Sequence, residues 1–303
     1  MDGDFALLIK HEAYAKKLES YLVYRLKNIC NAKQISAVLK SENPLAEFEK
    51  FKQSGKEDKF VSSRVDARVR DIAKFNISGV NKYLDIGCGD GTITAGIGKH
   101  FNLDKDSIVG CDIPQWAGHE HENEVSDEIT FIPMESPEKL PTDETFELIT
   151  IFMALHHMTD KVIQSLIEEC ARVLSPNGVI LVREHDCPNA MISALINIEH
   201  AMFEVVIEGT TSADKFASSY YGKYRTRRQW NGIFADLGFY TFGEPIANLR
   251  NNTRPFYQLY RLNNKKIADV AITELGRQAV IRNVQIRDLN NTAAIKQRLV
   301  FRN

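Results

Sequence analysis

No C-x-x-C pair occurs anywhere in the chain: the five cysteines, Cys30, Cys88, Cys111, Cys170 and Cys187, are scattered over 303 residues. That spacing argues against a zinc site built on cysteine pairs, and no metal site is assigned. It also fits a reducing compartment, with the cytosol as the expected location. No apolar run approaches the length of a membrane span, and the opening residues, with Asp2 and Asp4, do not read as a signal peptide. Internal repeats and low-complexity segments are missing as well. What is present, 44% hydrophobic and 26% charged residues, is the make-up of a globular protein. The length suits one domain of ordinary size plus an extension.

Neither sign of charge is in large excess. The net charge is only −2, but it is unevenly spread. Residues 1–80 carry 15 Lys/Arg against 11 Asp/Glu, residues 250–303 carry 11 against 3, and the stretch between carries 12 against 26. An acidic middle with basic ends admits two readings: a polyanionic partner near the termini, or charge balancing between segments that pack together.

The stretch Tyr83-Leu84-Asp85-Ile86-Gly87-Cys88-Gly89-Asp90-Gly91-Thr92 organises the rest. An apolar run ending in an acid, three glycines on alternate positions and then a helical pattern predict strand, tight turn and helix. Glycines let the backbone approach a ligand closely, and a helix N-terminus offers unpaired N–H groups. A second acid, Asp112, closes the next apolar run, Ile108–Asp112, about twenty residues on, where a βαβ unit places a carboxylate near a bound ribose. A dinucleotide fingerprint would put its third glycine at Thr92; the spacing here is G-x-G-x-G.

This D-x-G-C-G-x-G pattern resembles the first motif of the class I S-adenosylmethionine-dependent methyltransferases. The resemblance covers about residues 62–262. It implies a doubly wound, mostly parallel seven-stranded α/β sheet. It also implies an S-adenosylmethionine site of Asp85, Gly87, Cys88, Gly89 and Gly91 at the turn, Asp112 and Ile113 after the second strand, Met134 and Glu135 after the third, and Phe152 and Met153 after the fourth. Asp85 would meet the cationic amino-acid headgroup, Asp112 the ribose, and Glu135 the adenine amino group.

Around that core, residues 1–60 read as an N-terminal helical extension, 61–262 as the cofactor-binding domain and 263–303 as a basic C-terminal segment. A single amphipathic helix is expected over 4–30, a break at Asn43-Pro44, and helices over 47–53 and 61–75. Strands are expected at 83–86, 108–112, 129–133, 146–152, 179–183, 239–242 and 256–262. Helices are expected at 92–101, 162–174, 190–206 and 226–237, with a polar loop over 209–219.

Candidate chemistry clusters after the fourth and fifth strands. Leu155-His156-His157 is similar to the fourth motif of family members that act on small molecules. His156 and His157 admit metal-binding, base or helix-capping roles. Arg183-Glu184-His185-Asp186 ends the fifth strand, where ligands bind in such sheets. With Glu199-His200 it would make an acceptor-binding or proton-relay cluster, or a buried structural one. Glu184, His185 and His156 are the candidate catalytic residues, with His185 the preferred base. Tyr220, Tyr221 and Tyr224 would line an acceptor lid or simply pack. His119-Glu120-His121-Glu122 reads as a solvated loop.

Three functions remain open at this level. The first is methyl transfer to RNA, at a cap, ribose or base, with the basic termini as the binding surface. The second is a small-molecule methyltransferase, suggested by Leu-His-His and by Arg225–Phe239. The third is a non-catalytic binding subunit. No membrane partner is expected, and oligomeric state is not readable.

Overall fold

A computed structural model describes residues 1–51, 58–113, 125–248 and 251–263. The tail beyond 263, the His119–Glu122 motif and most of the loop at 54–59 lie outside them. Met1–Arg261 is one compact unit.

Strand β1 (Tyr83–Ile86) is buried at every residue, Tyr83, Leu84 and Ile86 apolar and Asp85 the one charged group. Such a strand is stable only in the middle of a sheet covered on both sides. It pairs in parallel with β2 (Ile108–Asp112) on one side and with β4 (Phe146–Phe152) on the other. Strand β3 (Thr130–Pro133) lies outside β2. Strand β5 (Leu174–His185) lies outside β4, and β7 (Pro255–Leu262) runs antiparallel to β5. With β6 (Phe239–Ala247) at the edge, the seven-stranded sheet among the described residues has the order β3-β2-β1-β4-β5-β7-β6. The chain leaves β1 for β2 on one side and later returns to β4 on the other. The carboxyl ends of β1 and β4 therefore border the crevice where such sheets bind ligands.

Ahead of the sheet come four short helices, α1 (Asp2–Ile9), α2 (Glu12–Arg25), α3 (Ala32–Val38) and α4 (Pro44–Glu49), then α5 (Asp58–Ala73). The expected single helix over 4–30 is broken at Lys10–His11, where His11 is extended. The apolar period runs through the break because both helices bury the same core, so the pattern has no gap to show. Pro44 stands at the start of α4, where a missing N–H costs nothing.

Helix α6 (Thr92–His100) follows β1, and α7 (Asp160–Val173) follows β4, its N-terminus capped by the Thr159 hydroxyl. Helix α8 (Ala190–Ala201) continues into a π-helical turn, Met202–Ile207. The expected polar loop over 209–219 contains α9 (Ala213–Ser219), started by a Ser212 cap. Helix α10 (Arg227–Asp236) begins at a reciprocal Thr226–Gln229 capping box.

Ala190–Ile207 has the length and composition of a membrane span, against the expectation that no run approaches one. Half of it is buried in the fold. Leu195, Ile196, Ile198, Met202 and Val205 share one apolar cluster with Phe5, Leu8, Leu18, Leu22, Leu26, Leu45 and Phe48 of the N-terminal helices and with Phe216 of α9. The run is apolar because it is the centre of a second core.

Candidate functional site

The turn after β1 is shaped by backbone that only glycine adopts freely. Gly87 has φ +76°, and a Cβ there would stand 3.0 Å from the Ala154 methyl. Gly89 also has positive φ, +56°, but a Cβ there would meet no protein atom within 4 Å. Gly87 thus lets the β4 loop close in, whereas Gly89 faces open space at the head of α6.

Asp112, at the end of β2, holds this turn from the side. Its Oδ2 accepts the Gly89 N–H at 2.8 Å, and its Oδ1 accepts that of Ile113 at 2.7 Å. Met134 is buried, and its N–H donates to the Asp112 carbonyl at 2.8 Å, joining the end of β3 to the same corner. Glu135 beside it is exposed. Cys88 packs its sulfur under Gly110 of β2, where a Cβ would come within 2.9 Å of it, so only its backbone faces the turn.

Asp85 lies deeper than its expected headgroup role implies. It is buried at the end of β1, accepting hydroxyls from Thr94 of α6 at 2.6 Å and Thr150 of β4 at 2.5 Å. The Tyr83 hydroxyl lies 2.7 Å from that of Thr150. Burial raises the Asp85 carboxyl to about 6, and the threonine bonds pull the other way. The carboxyl ties β1, β4 and α6 together beneath the glycines. Among positions reached by sequence, Thr94 and Thr150 were missed; a polar residue in each of two apolar elements was the available signal.

Across the crevice, β4 ends in Phe152, edge-on to Tyr257 at 5.7 Å between centroids, and then Met153. Met153 has φ +58°, an uncommon and strained conformation for a side chain of its size, held by a 2.8 Å bond from its N–H to the Arg183 carbonyl. The chain then turns through Leu155–His157 in a single 3-10 turn.

That turn delivers two imidazoles into a histidine-rich cluster. His156 is fully buried, its Nδ1 2.7 Å from Glu184 Oε2 and its Nε2 3.1 Å from His200 Nε2 of α8. His200 Nδ1 faces the Ile196 carbonyl at 2.9 Å, and His157 Nδ1 faces the Tyr221 carbonyl at 2.9 Å. His185, closing β5, donates from Nδ1 to the Thr253 carbonyl at 2.7 Å; its Nε2 is buried and unpartnered. Tyr220 and Tyr224 share a 2.6 Å hydroxyl contact, and Tyr224 donates to Asn197 at 2.8 Å. Burial holds the histidines neutral: His157 falls to about 4, and His156, His185 and His200 also move down. Burial raises Glu184 to about 7.

The structure therefore gathers His156, His157, Glu184, His185, His200, Tyr220 and Tyr224. It separates Glu199 and Asp186 from them. Glu199 lies near Tyr21 of α2, and Asp186 accepts from the Arg227 N–H at 2.9 Å and the Arg254 guanidinium at 3.1 Å.

A doubly wound sheet with its seventh strand antiparallel, a glycine turn at the switch point and a carboxylate at the end of β2 define the class I methyltransferase fold. Residues 84–178 match the family model described as a methyltransferase domain. Over that stretch the chain carries a methyltransferase domain, of the class I S-adenosylmethionine-dependent kind that the fold defines. It is 26% identical over 169 residues to strychnine O-methyltransferase of Strychnos nux-vomica, covering 54% of this chain and 42% of that protein. Over 161 residues it is 24% identical to ubiquinone biosynthesis O-methyltransferase of Colwellia psychrerythraea (strain 34H / ATCC BAA-681), covering 52% and 63%. The structure of mitomycin 7-O-methyltransferase MmcR aligns with a TM-score of 0.47 at 16% identity, over 75% of this chain and 60% of that one. The chain thus spans between 42% and 63% of the length of these relatives.

The glycine cradle fits the family's cofactor. Open space beyond Gly89, a carboxylate locked at the end of β2 and a left-handed Met153 opposite leave room for a ligand that only backbone approaches.

Proposed function

We propose that this protein transfers the methyl group of S-adenosylmethionine to a small-molecule acceptor, through an oxygen whose proton the histidine cluster receives. When bound, the cofactor supplies an electrophilic methyl on a good leaving group. The chain's own task is then placement and proton handling. The Gly87–Gly91 turn would take the methionine part, Asp112 and Ile113 the ribose, Met134 and Glu135 the adenine edge, and Phe152 and Met153 the flank near the reacting centre. Asp85 positions the turn from beneath.

One observation carries the choice of acceptor. The histidine cluster follows Met153 directly in the chain, and its α8 member, His200, comes from the helix that the N-terminal helices pack upon. That surrounding suits a compact, partly apolar molecule better than an extended polyanion. The Glu184 carboxyl, raised to about 7, can take up a proton near neutral pH, as an alcohol or phenol acceptor requires, and the neutral imidazoles beside it can relay that proton. The names of the relatives, strychnine O-methyltransferase and ubiquinone biosynthesis O-methyltransferase, favour the same class. RNA was the leading expectation from the basic termini. Against it, the first terminus is largely built into an apolar core. Cytosolic location remains part of this proposal, resting on the scattered cysteines.

The test is calorimetric binding of S-adenosylhomocysteine, followed by transfer of labelled methyl to a desalted metabolite fraction and, separately, to total RNA. Label in the metabolite fraction supports the reading. Label in RNA alone overturns the acceptor class, and binding without any transfer favours a non-catalytic subunit.

A further inference from the structure

Among the described residues, His156, His157 and His200 form a compact group of metal-ligating side chains, the first buried and the other two half-buried. A ligand nitrogen of each of His156, His157 and His200 lies within 4.8 Å of the others. In all three rings Nδ1 is held by an oxygen: a Glu184 carboxyl oxygen, the Tyr221 carbonyl and the Ile196 carbonyl. Metal-ligating histidines are commonly oriented in this way, with the second nitrogen hydrogen-bonded to a carboxylate or carbonyl.

The His156–His200 contact sharpens the point. His200 Nδ1 faces a carbonyl and so carries the proton, leaving a lone pair on Nε2. The Nε2 of His156 faces it at 3.1 Å, close enough for one proton or one cation to sit between the two nitrogens. Two imidazoles on a tetrahedral zinc, with bonds of about 2.0–2.1 Å, stand about 3.3 Å apart. The observed gap needs only a few tenths of an ångström of opening. A second, independent observation lies alongside. The His185 ring centroid is 5.4 Å from that of His156 and 5.7 Å from that of His200, and its buried Nε2 has no partner. An unsatisfied buried nitrogen costs free energy unless a ligand or a bound water meets it.

We propose that His156, His157 and His200 form a binding site for one divalent transition-metal ion of the zinc type, oriented by Glu184 and bordered by His185. An all-imidazole set selects zinc, copper, nickel or iron over magnesium or calcium, which require oxygen ligands. Three protein ligands leave a position for an oxygen from water or an acceptor, and a metal lowers the pKa of such an oxygen. The sequence alone assigned no metal site, while leaving metal binding open for His156 and His157. It concerns the same cluster as the proposed acceptor site, but its occupancy does not depend on methyl transfer.

The experiment uses the full chain without a polyhistidine tag, stripped with chelator, equilibrated with zinc or cobalt(II) and assayed by elemental analysis. The expected result is one ion per chain, with the intense visible absorption of four-coordinate cobalt. His200→Ala and His157→Gln should lose the ion, and His100→Ala, on the exposed end of α6, should keep it. Glu184→Gln should weaken binding by about 10–100-fold. S-adenosylhomocysteine titration of each variant reports whether the fold survives. The cobalt spectrum of the native chain decides the matter should the variants unfold. No stoichiometric uptake by the native chain, or uptake indifferent to both histidine changes, overturns the site and leaves a hydrogen-bonded cluster. Cofactor binding without metal sinks this inference alone, and metal without cofactor binding sinks the methyl-transfer reading alone.

Discussion

Burial drives the Asp85 carboxyl up to about 6, against the pull of two threonine hydroxyls. A carboxyl raised in the folded state binds its proton more tightly there than in the unfolded chain, whose ordinary value is 3.8. Its contribution to stability is therefore fully present below 3.8 and is lost as pH rises to about 6. The difference corresponds to about 3 kcal/mol. Asp85→Asn removes this dependence. Urea midpoints measured across that window should show native stability falling relative to the variant; parallel curves would refute the assignment. Asp85 was legible in the sequence as an acid before a glycine turn. Its partners were not, because Thr94 lies 9 residues away and Thr150 65. The histidine cluster was legible in part: Glu184, His185 and His200 were expected together, but not their contact with His156. His156 and His200 are 44 residues apart on a 3-10 turn and a helix, so no local period pairs them.

At the scale of elements, the strand–turn–helix around Gly87–Gly91 was readable to within a residue because its signal is local: apolar run, glycines, helical pattern. The same glycines now differ in what they do. An alanine at Gly87 would press its Cβ on the Ala154 methyl at 3.0 Å and also hold φ at +76°. At Gly89 the added methyl meets open space, so only the backbone cost of about 1–2 kcal/mol applies. Gly87→Ala should therefore lower stability more than Gly89→Ala, whereas Gly89→Ala should block cofactor binding while leaving the fold largely intact. Thermal melts with and without S-adenosylhomocysteine separate the two; equal losses of stability would remove the distinction between a packing glycine and a ligand-facing one. Elements whose signal is not local were read less well. Helix α9 lay inside a polar stretch, and the break between α1 and α2 left the apolar spacing undisturbed.

For the molecule as a whole, the open question is whether residues 1–51 are an arm for a partner or part of the core. Phe5, Leu8, Leu18, Leu22, Leu26, Ile35, Leu45 and Phe48 are all buried in one cluster with α8, its π-helical extension and α9. At about 1.5–3 kcal/mol for each large apolar side chain, these eight contribute roughly 12–24 kcal/mol of gross burial. That is as large as the whole net stability of an ordinary domain, about 5–15 kcal/mol. Removing the helices would also uncover Leu195, Ile198, Met202 and Val205, from a run apolar enough to match a membrane span. A chain starting at Asp58 should therefore be aggregation-prone or bind a hydrophobic dye strongly, and should lose S-adenosylhomocysteine binding, although no cofactor-contacting position is deleted. An RNA-binding arm would behave differently: its removal would leave a soluble, cofactor-binding domain that had lost only its affinity for polyanions. Solubility and cofactor titration of that one truncation distinguish a built-in cap over the acceptor side from a detachable charged extension, and the buried leucines favour the cap.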